Sequence, residues 1–232
     1  MTQRRIVVTG AFGILGAAVA KAAAAGGDRI ALLDFAPEPP DGLVADCGPG
    51  AFVLSGVDLT DPASAHLAVN AAASALGGID ALLNIAGGFS WQTLADGDAE
   101  TWERLYRLNV ATAANACRSA LPHLRGSQAG RIVNVGANAA LRSGAGMGAY
   151  AASKAGVHRL TESLAEELKG DRITVNAVLP SILDTPANRA DMPKADPALW
   201  VSPAELSAVI LFLASEAASA VTGALVPVTG RV

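Results

Sequence analysis

The chain reads as one doubly wound α/β domain over residues 1–232: a parallel sheet with helices on both faces. Three observations predict this. Short apolar runs without period-2 alternation, as expected of strands buried on both faces, alternate with longer Ala-rich helical stretches. A glycine-rich turn follows the first of these runs. The composition, 51% apolar and 16% charged, supplies a large core and rules out a disordered or fibrous chain.

The elements follow in order. Ile6–Val8 is the first strand, and Gly10, Gly13 and Gly16 turn it into a helix near 13–25. Arg29–Leu33 is the second strand, followed by a short helix near 41–46 and a third strand, Ala51–Leu54. Asp61-Pro62 places an N-cap before an N1 proline and opens a helix over 62–76. Strand Ala81–Leu83 leads to one long helix over 98–124, then strand Arg131–Val135, a helix over 149–168 and strand Ile173–Val178. Residues 180–200, rich in Pro, Asp and Ala, form an irregular segment whose length suits a substrate-side lid. Ser202-Pro203-Ala204-Glu205 is a capping-box start for a helix over 203–216, and Ala224–Val228 closes the sheet. Strands and helices at this spacing imply βαβ units.

Composition also limits function. A net charge of −4 argues against a general nucleic-acid binder. Two cysteines, Cys47 and Cys117, build neither a disulfide framework nor a metal cluster, and fit a reducing compartment. Arg4-Arg5 precedes an apolar run, but Gly10, Gly13, Gly16 and Lys21 break it. No apolar stretch is long enough to span a membrane. The expectation is a cytoplasmic protein acting on a small molecule, without metal, membrane or nucleic acid.

Thr9-Gly10-Ala11-Phe12-Gly13-Ile14-Leu15-Gly16 joins strand to helix. Glycines there let the backbone approach a pyrophosphate, which the helix N-terminus stabilises through free N–H groups and its dipole. Gly10, Phe12, Gly13, Ile14 and Leu15 are the expected contacts. The Gly-x-x-Gly-x-x-Gly spacing departs from the usual Gly-x-Gly-x-x-Gly, so a plain tight turn fits it too. Asp34, at the end of the second strand, suits the hydroxyls of an adenosine ribose and repels a 2′-phosphate. No Arg or Lys stands at Ala11, Phe12, Phe35 or Ala36. NADH is therefore expected over NADPH, on a Rossmann-type fold.

Tyr150 and Lys154 stand four apart, on one helix face. A neighbouring ammonium favours phenolate and lowers the tyrosine pKa towards the range of an acid–base catalyst. Lysine also has donors to spare for a ribose.

In this order the landmarks resemble the short-chain dehydrogenase/reductase family. The resemblance runs through Val57-Asp58-Leu59-Thr60, Asn84-Ile85-Ala86-Gly87, Leu108-Asn109-Val110, Tyr150-Ala151-Ala152-Ser153-Lys154 and Val178-Leu179-Pro180-Ser181-Ile182-Leu183-Asp184-Thr185. It implies that Asp58 and Leu59 meet adenine. Asn84, Ala86 and Gly87 would support the cofactor, and Pro180, Leu183 and Thr185 the nicotinamide. Asn109 would kink its helix and anchor a proton-relay water, with Tyr150 and Lys154 as the catalytic pair. Ser181 replaces a family glycine.

One position departs. The family's serine, thirteen residues before the tyrosine, is here Ala137; Asn138 and Ser143 are neighbours that could substitute. Without it a ketone loses a donor to its developing alkoxide, an interaction worth about 2.7–4 kcal/mol in comparable sites. The stretches Gly136–Leu141, Gly146–Tyr150 and Lys154–His158, with Leu183–Arg189, resemble dihydropteridine reductases, short-chain enzymes that also lack the serine. Ala86-Gly87-Gly88-Phe89 is similar to their Ala-Gly-Gly-Trp. That resemblance implies reduction of a quinonoid dihydropteridine, in which hydride charge spreads over ring nitrogens and Tyr150 alone donates the proton. Ala137, Phe89, Trp91 and Asn188 are then substrate candidates, and Trp200 a further aromatic that could stack. A short-chain carbonyl reductase or alcohol dehydrogenase is the alternative; a cofactor-binding regulatory protein without turnover is the alternative from another class. His66, His123 and His158 lack metal-ligand spacing and are read as surface or helix-packing residues. The small-residue faces of helices 98–124 and 149–168 point to a homodimer or homotetramer.

Overall fold

The computed structural model describes residues 3–232. Its seven strands are β1 Arg5–Thr9, β2 Arg29–Leu33, β3 Phe52–Leu54, β4 Ala81–Asn84, β5 Arg131–Val135, β6 Thr174–Pro180 and β7 Leu225–Val228. All are parallel, in one sheet of order β3-β2-β1-β4-β5-β6-β7. The apolar runs are continuous because alternate residues feed different cores. Val7 and Leu82 join the core on one face; Ile6, Val8 and Leu83 join the core on the other.

The α-helices are α1 Ile14–Ala25, α2 Leu43–Asp46, α3 Pro62–Leu76, α4 Ala99–Tyr106, α5 Thr112–Arg125, α6 Gly148–Glu167, α7 Pro186–Asp191 and α8 Pro203–Leu213. Helices α1 and α8 cover one face; α3, α5 and α6 cover the other. The Asp61 side chain accepts from the N–H groups of Ala63 and Ser64, a cap worth about 1 kcal/mol. The Ser202–Glu205 capping box is complete in both directions.

Two expected elements differ. The long helix over 98–124 is divided by a π turn, Arg107–Ala111, centred on Asn109. The Asn109 side chain holds Gly88 through both backbone groups, N–H to Oδ1 and Nδ2 to C=O, each at 3.0 Å. A wide turn of this kind re-aims the side chains that follow it. The segment over 180–200 is irregular only in part: Thr185 caps α7 by accepting from the Asn188 N–H, Pro186 occupies its first turn, and residues 197–199 form a 3₁₀ turn. Leu183 also bridges to Val201.

Strand order reverses between β1 and β4, and a parallel sheet binds ligands beyond the carboxyl ends of its strands at such a point. Gly156 seats α6 there: a Cβ would lie 2.8 Å from Val110 Cγ2, so only glycine lets α6 approach the π turn this closely. Among the described residues, no helix is long and apolar enough to cross a membrane.

Candidate active site

A cleft of about 1070 Å³ opens at this switch point. Its floor requires glycine. Gly10 has φ +63°, and a Cβ there would stand 2.7 Å from the Ala86 backbone; a Cβ on Gly16 would overlap the Gly10 carbonyl. Thr9 Oγ1 accepts from the N–H groups of Ile85 and Ala86, which fixes the turn after β4 against this loop. Gly13, the N-cap of α1, has no side chain to accept the first free N–H groups of that helix. Gly10, Phe12, Gly13, Ile14 and Leu15 all line the cleft.

Asp34 lies in the wall, where Oδ2 accepts from the Phe12 N–H at 2.8 Å and Oδ1 from the Ala36 N–H at 2.9 Å. Its charge is therefore held in place. Asp58 and Leu59 line the same end. Hydrogen bonding from Thr60 keeps the Asp58 carboxyl below its usual range against a smaller opposing effect of burial, with help from the charge of Arg107. Arg104 and Arg107, which sequence reasoning did not place here, line the cleft from α4 and the π turn; Arg107 donates to Thr60 Oγ1 at 3.2 Å.

At the other end Tyr150 and Lys154 share the cleft wall. Burial pushes the Tyr150 phenol up to about 12, so it is protonated at neutral pH. Burial thus opposes the lowering expected from the neighbouring ammonium. The buried ammonium is itself disfavoured, with its pKa pulled down to about 8, and Nζ donates to the Val135 carbonyl at 2.8 Å. Phe89 meets the Tyr150 ring edge-on, with centroids 4.9 Å apart. Asn109 Nδ2 also donates to Ser153 Oγ at 2.9 Å, and Ser153 Oγ donates to the Tyr150 carbonyl. Ser153 thus couples the π turn to the tyrosine helix.

Ala86, Gly87, Phe89, Leu183 and Thr185 line the cleft; several other candidates do not. Asn84 lies beneath it, 3% exposed, donating to Asn134 Oδ1 and Cys117 Sγ, because its strand position turns it into the core. Pro180 ends β6 outside the cleft wall. Trp91 is also outside, donating to the Ala145 carbonyl and packed on Gly146. Asn188 turns back to donate to the Leu183 carbonyl, which staples the loop. Trp200 is buried. Ala137 is 3% exposed, and its N–H donates to His158 Nε2 at 3.3 Å. The Ser143 hydroxyl donates to the Gly144 carbonyl.

The residues present fit a dinucleotide. Gly87 is pared to backbone, since a Cβ would lie 2.5 Å from Asn109 Oδ1 and 3.3 Å from Lys154 Nζ. Free N–H groups meet the cleft at α1, a fixed carboxylate stands at one end, and a buried ammonium at the other makes no ion pair among the described residues.

Residues 4–196 match the family of the description short chain dehydrogenase. The chain is 32% identical over 233 residues to a meso-2,3-butanediol dehydrogenase of Serratia marcescens, covering 97% of this chain and 92% of that one. It is 34% identical over 239 residues to a cis-4-hydroxycyclohexanecarboxylate dehydrogenase of Sinomonas cyclohexanicum, covering 98% and 96%. Its fold is similar to that of a carveol dehydrogenase from Mycobacterium avium in complex with NAD, with a TM-score of 0.85, 24% identity and 98% of each chain covered.

Proposed function

The chain belongs to the short chain dehydrogenase family, and from that premise we propose that it interconverts a secondary alcohol and its carbonyl compound, with NADH as the preferred reductant. The observation that carries this reading is the Tyr150 phenol in the cleft wall with Lys154, on a helix that Asn109 ties to the π turn through Ser153. When bound, the nicotinamide supplies or accepts the hydride. Tyr150 holds the proton that a reduced carbonyl oxygen takes up, and Lys154, with one of its three donors on the Val135 carbonyl, has donors to spare for a ribose. Asp34 offers its fixed charge to ribose hydroxyls and against a 2′-phosphate.

A second reading keeps the quinonoid dihydropteridine that the resemblance of Gly136–Leu141, Gly146–Tyr150 and Lys154–His158 implies. One feature favours it: position 137 offers a substrate no hydrogen bond. It has no hydroxyl, its N–H is committed to His158, and its carbonyl accepts from the Ala140 N–H. The relatives named above act, by their names, on hydroxylated compounds, which supports the alcohol–carbonyl reading over this one. A regulatory role without turnover leaves the assembly of Tyr150, Lys154 and Asn109 without a purpose.

A steady-state screen with NADH against cyclic and acyclic ketones, diketones and quinonoid dihydropterin tests the proposal. Turnover of a carbonyl panel member above that of the pterin is expected. Turnover of the pterin alone would replace the first reading by the second, and no turnover at all would leave the regulatory one.

A further inference from the structure

His158 is a buried titratable side chain that the proton chemistry above does not use. It is 1% exposed and lies one turn beyond Lys154 on α6. Because Nε2 accepts from the Ala137 N–H, the ring proton sits on Nδ1. Burial, together with the charges of Arg159 and Lys154, pulls its pKa down to about 4, so the ring is neutral at physiological pH.

Its partner segment is the corner at the end of β5. Lys154 Nζ holds the Val135 carbonyl, the Gly136 N–H donates to Val178 O on β6, and His158 holds the Ala137 N–H. Two of these three ties come from consecutive turns of α6, the helix that carries Tyr150. The corner is matched to the histidine in shape as well. A Cβ on Gly136 would overlap His158 Nε2 and come within 3.3 Å of Leu179 Cδ1. Buried at 1% exposure, the ring has no room to swing aside.

We propose that His158 is a positioning residue: as an acceptor for the Ala137 N–H it clamps the Val135–Ala137 corner against α6, and so sets the carbonyl that holds Lys154 in register with Tyr150. The proposal rests on the reading of Tyr150 and Lys154 as the reacting pair. It makes Gly136 and His158 one unit, so that the glycine is required only while the histidine is present. Loss of the acceptor leaves a buried N–H unsatisfied and lets the corner move, and displacements of about 1 Å near a reacting centre cost about 10²-fold in rate.

The test uses His158→Leu, which removes the acceptor, His158→Gln, which keeps one, and the cycle of Gly136→Ala with His158→Ala. His158→Leu is expected to lower kcat at least tenfold with a smaller loss of NADH affinity, since Lys154 also holds the ribose, and His158→Gln to recover at least a third of the lost kcat. In thermal melts Gly136→Ala should lower Tm alone and have little effect in the His158→Ala background, a non-additivity expected of touching residues. The ¹⁵N resonances of His158 should report the Nδ1–H tautomer. Full kcat in His158→Leu, a Gln variant no better than Leu, additive melting shifts or an Nε2–H tautomer would each overturn the clamp. If the wild-type enzyme turns over no substrate, the functional reading fails by itself, and the melting cycle and the tautomer still decide the clamp.

Discussion

Lys154→Met should make the cofactor-free protein more stable while disabling it. The lysine is 5% exposed, makes no ion pair among the described residues, and has its pKa lowered by burial from the ordinary 10.5 to about 8. At pH 7 the ammonium therefore carries about 3 kcal/mol of burial cost. Methionine fills a similar volume without charge, but loses the charge-assisted hydrogen bond to the Val135 carbonyl, about 2 kcal/mol. The balance favours the variant by about 1 kcal/mol, or about 2–4 °C in Tm for a chain of this size. The unfolded chain binds the proton more tightly than the folded one between pH 8 and 10.5, so wild-type stability rises across that window. By pH 10 the charge cost has fallen below about 1 kcal/mol and the lost hydrogen bond dominates, so the order reverses. Melts by circular dichroism at pH 7 and pH 10, on both proteins without cofactor, read this directly. A variant that melts below wild type at pH 7, or an advantage unchanged at pH 10, would refute the reasoning.

Fluorescence titration should show NADH binding at least tenfold, about 1.4 kcal/mol, more tightly than NADPH, with Asp34→Ala narrowing the gap from the NADPH side; equal affinities in wild type would remove Asp34 from that role. Tyr150→Phe should cut turnover by about 10²–10⁴ and leave NADH binding nearly unchanged, as judged by kcat and titration together. Ala137→Ser should raise ketone turnover relative to pterin turnover, and a fall in that ratio would show that the new hydroxyl fails to reach the substrate. We propose association through α4–α6 surfaces, where Trp102 and Tyr106 remain 40% and 56% exposed; sedimentation should give at least a dimer mass, and a monomer independent of concentration would exclude it.

The strands were legible because burial on both faces leaves a signal that needs no partner to interpret: Ile6–Val8 and Ala81–Leu83 are apolar without interruption. The cleft floor was legible for a similar reason, since Gly10 and Gly16 stand where any Cβ would collide with backbone. The π turn was not legible from helical periodicity, which runs unbroken through Arg107–Ala111; only the resemblance implied a kink at Asn109. Helix α7 was hidden by Pro186 and Asp184, residues that also read as loop, although Thr185 before Pro186 is a cap followed by an N1 proline. Lys154 lines the cleft as the spacing implied, but the burial that acts on it and on Tyr150 was not legible, because spacing reports neighbours and not the solvent they have lost. The tie between His158 and Ala137 spans 21 residues and depends on how closely α6 lies on β5, which no local pattern encodes.

The order of the strands also dictates when the sheet can form. β1 lies inside the sheet, paired on both sides, yet one of its neighbours, β4, begins at Ala81, 76 residues after Arg5 in the chain. During synthesis the nascent chain can pair β1 with β2 and β2 with β3 while the other flank of Ile6–Val8 stays open. Long-range parallel pairing of this kind is slow, and an unpaired apolar strand is a target for aggregation until it closes. The interval between emergence of β1 and of β4 from the ribosome is therefore the vulnerable period in the life of this chain, and a chaperone that shields the first eighty residues would act on that interval.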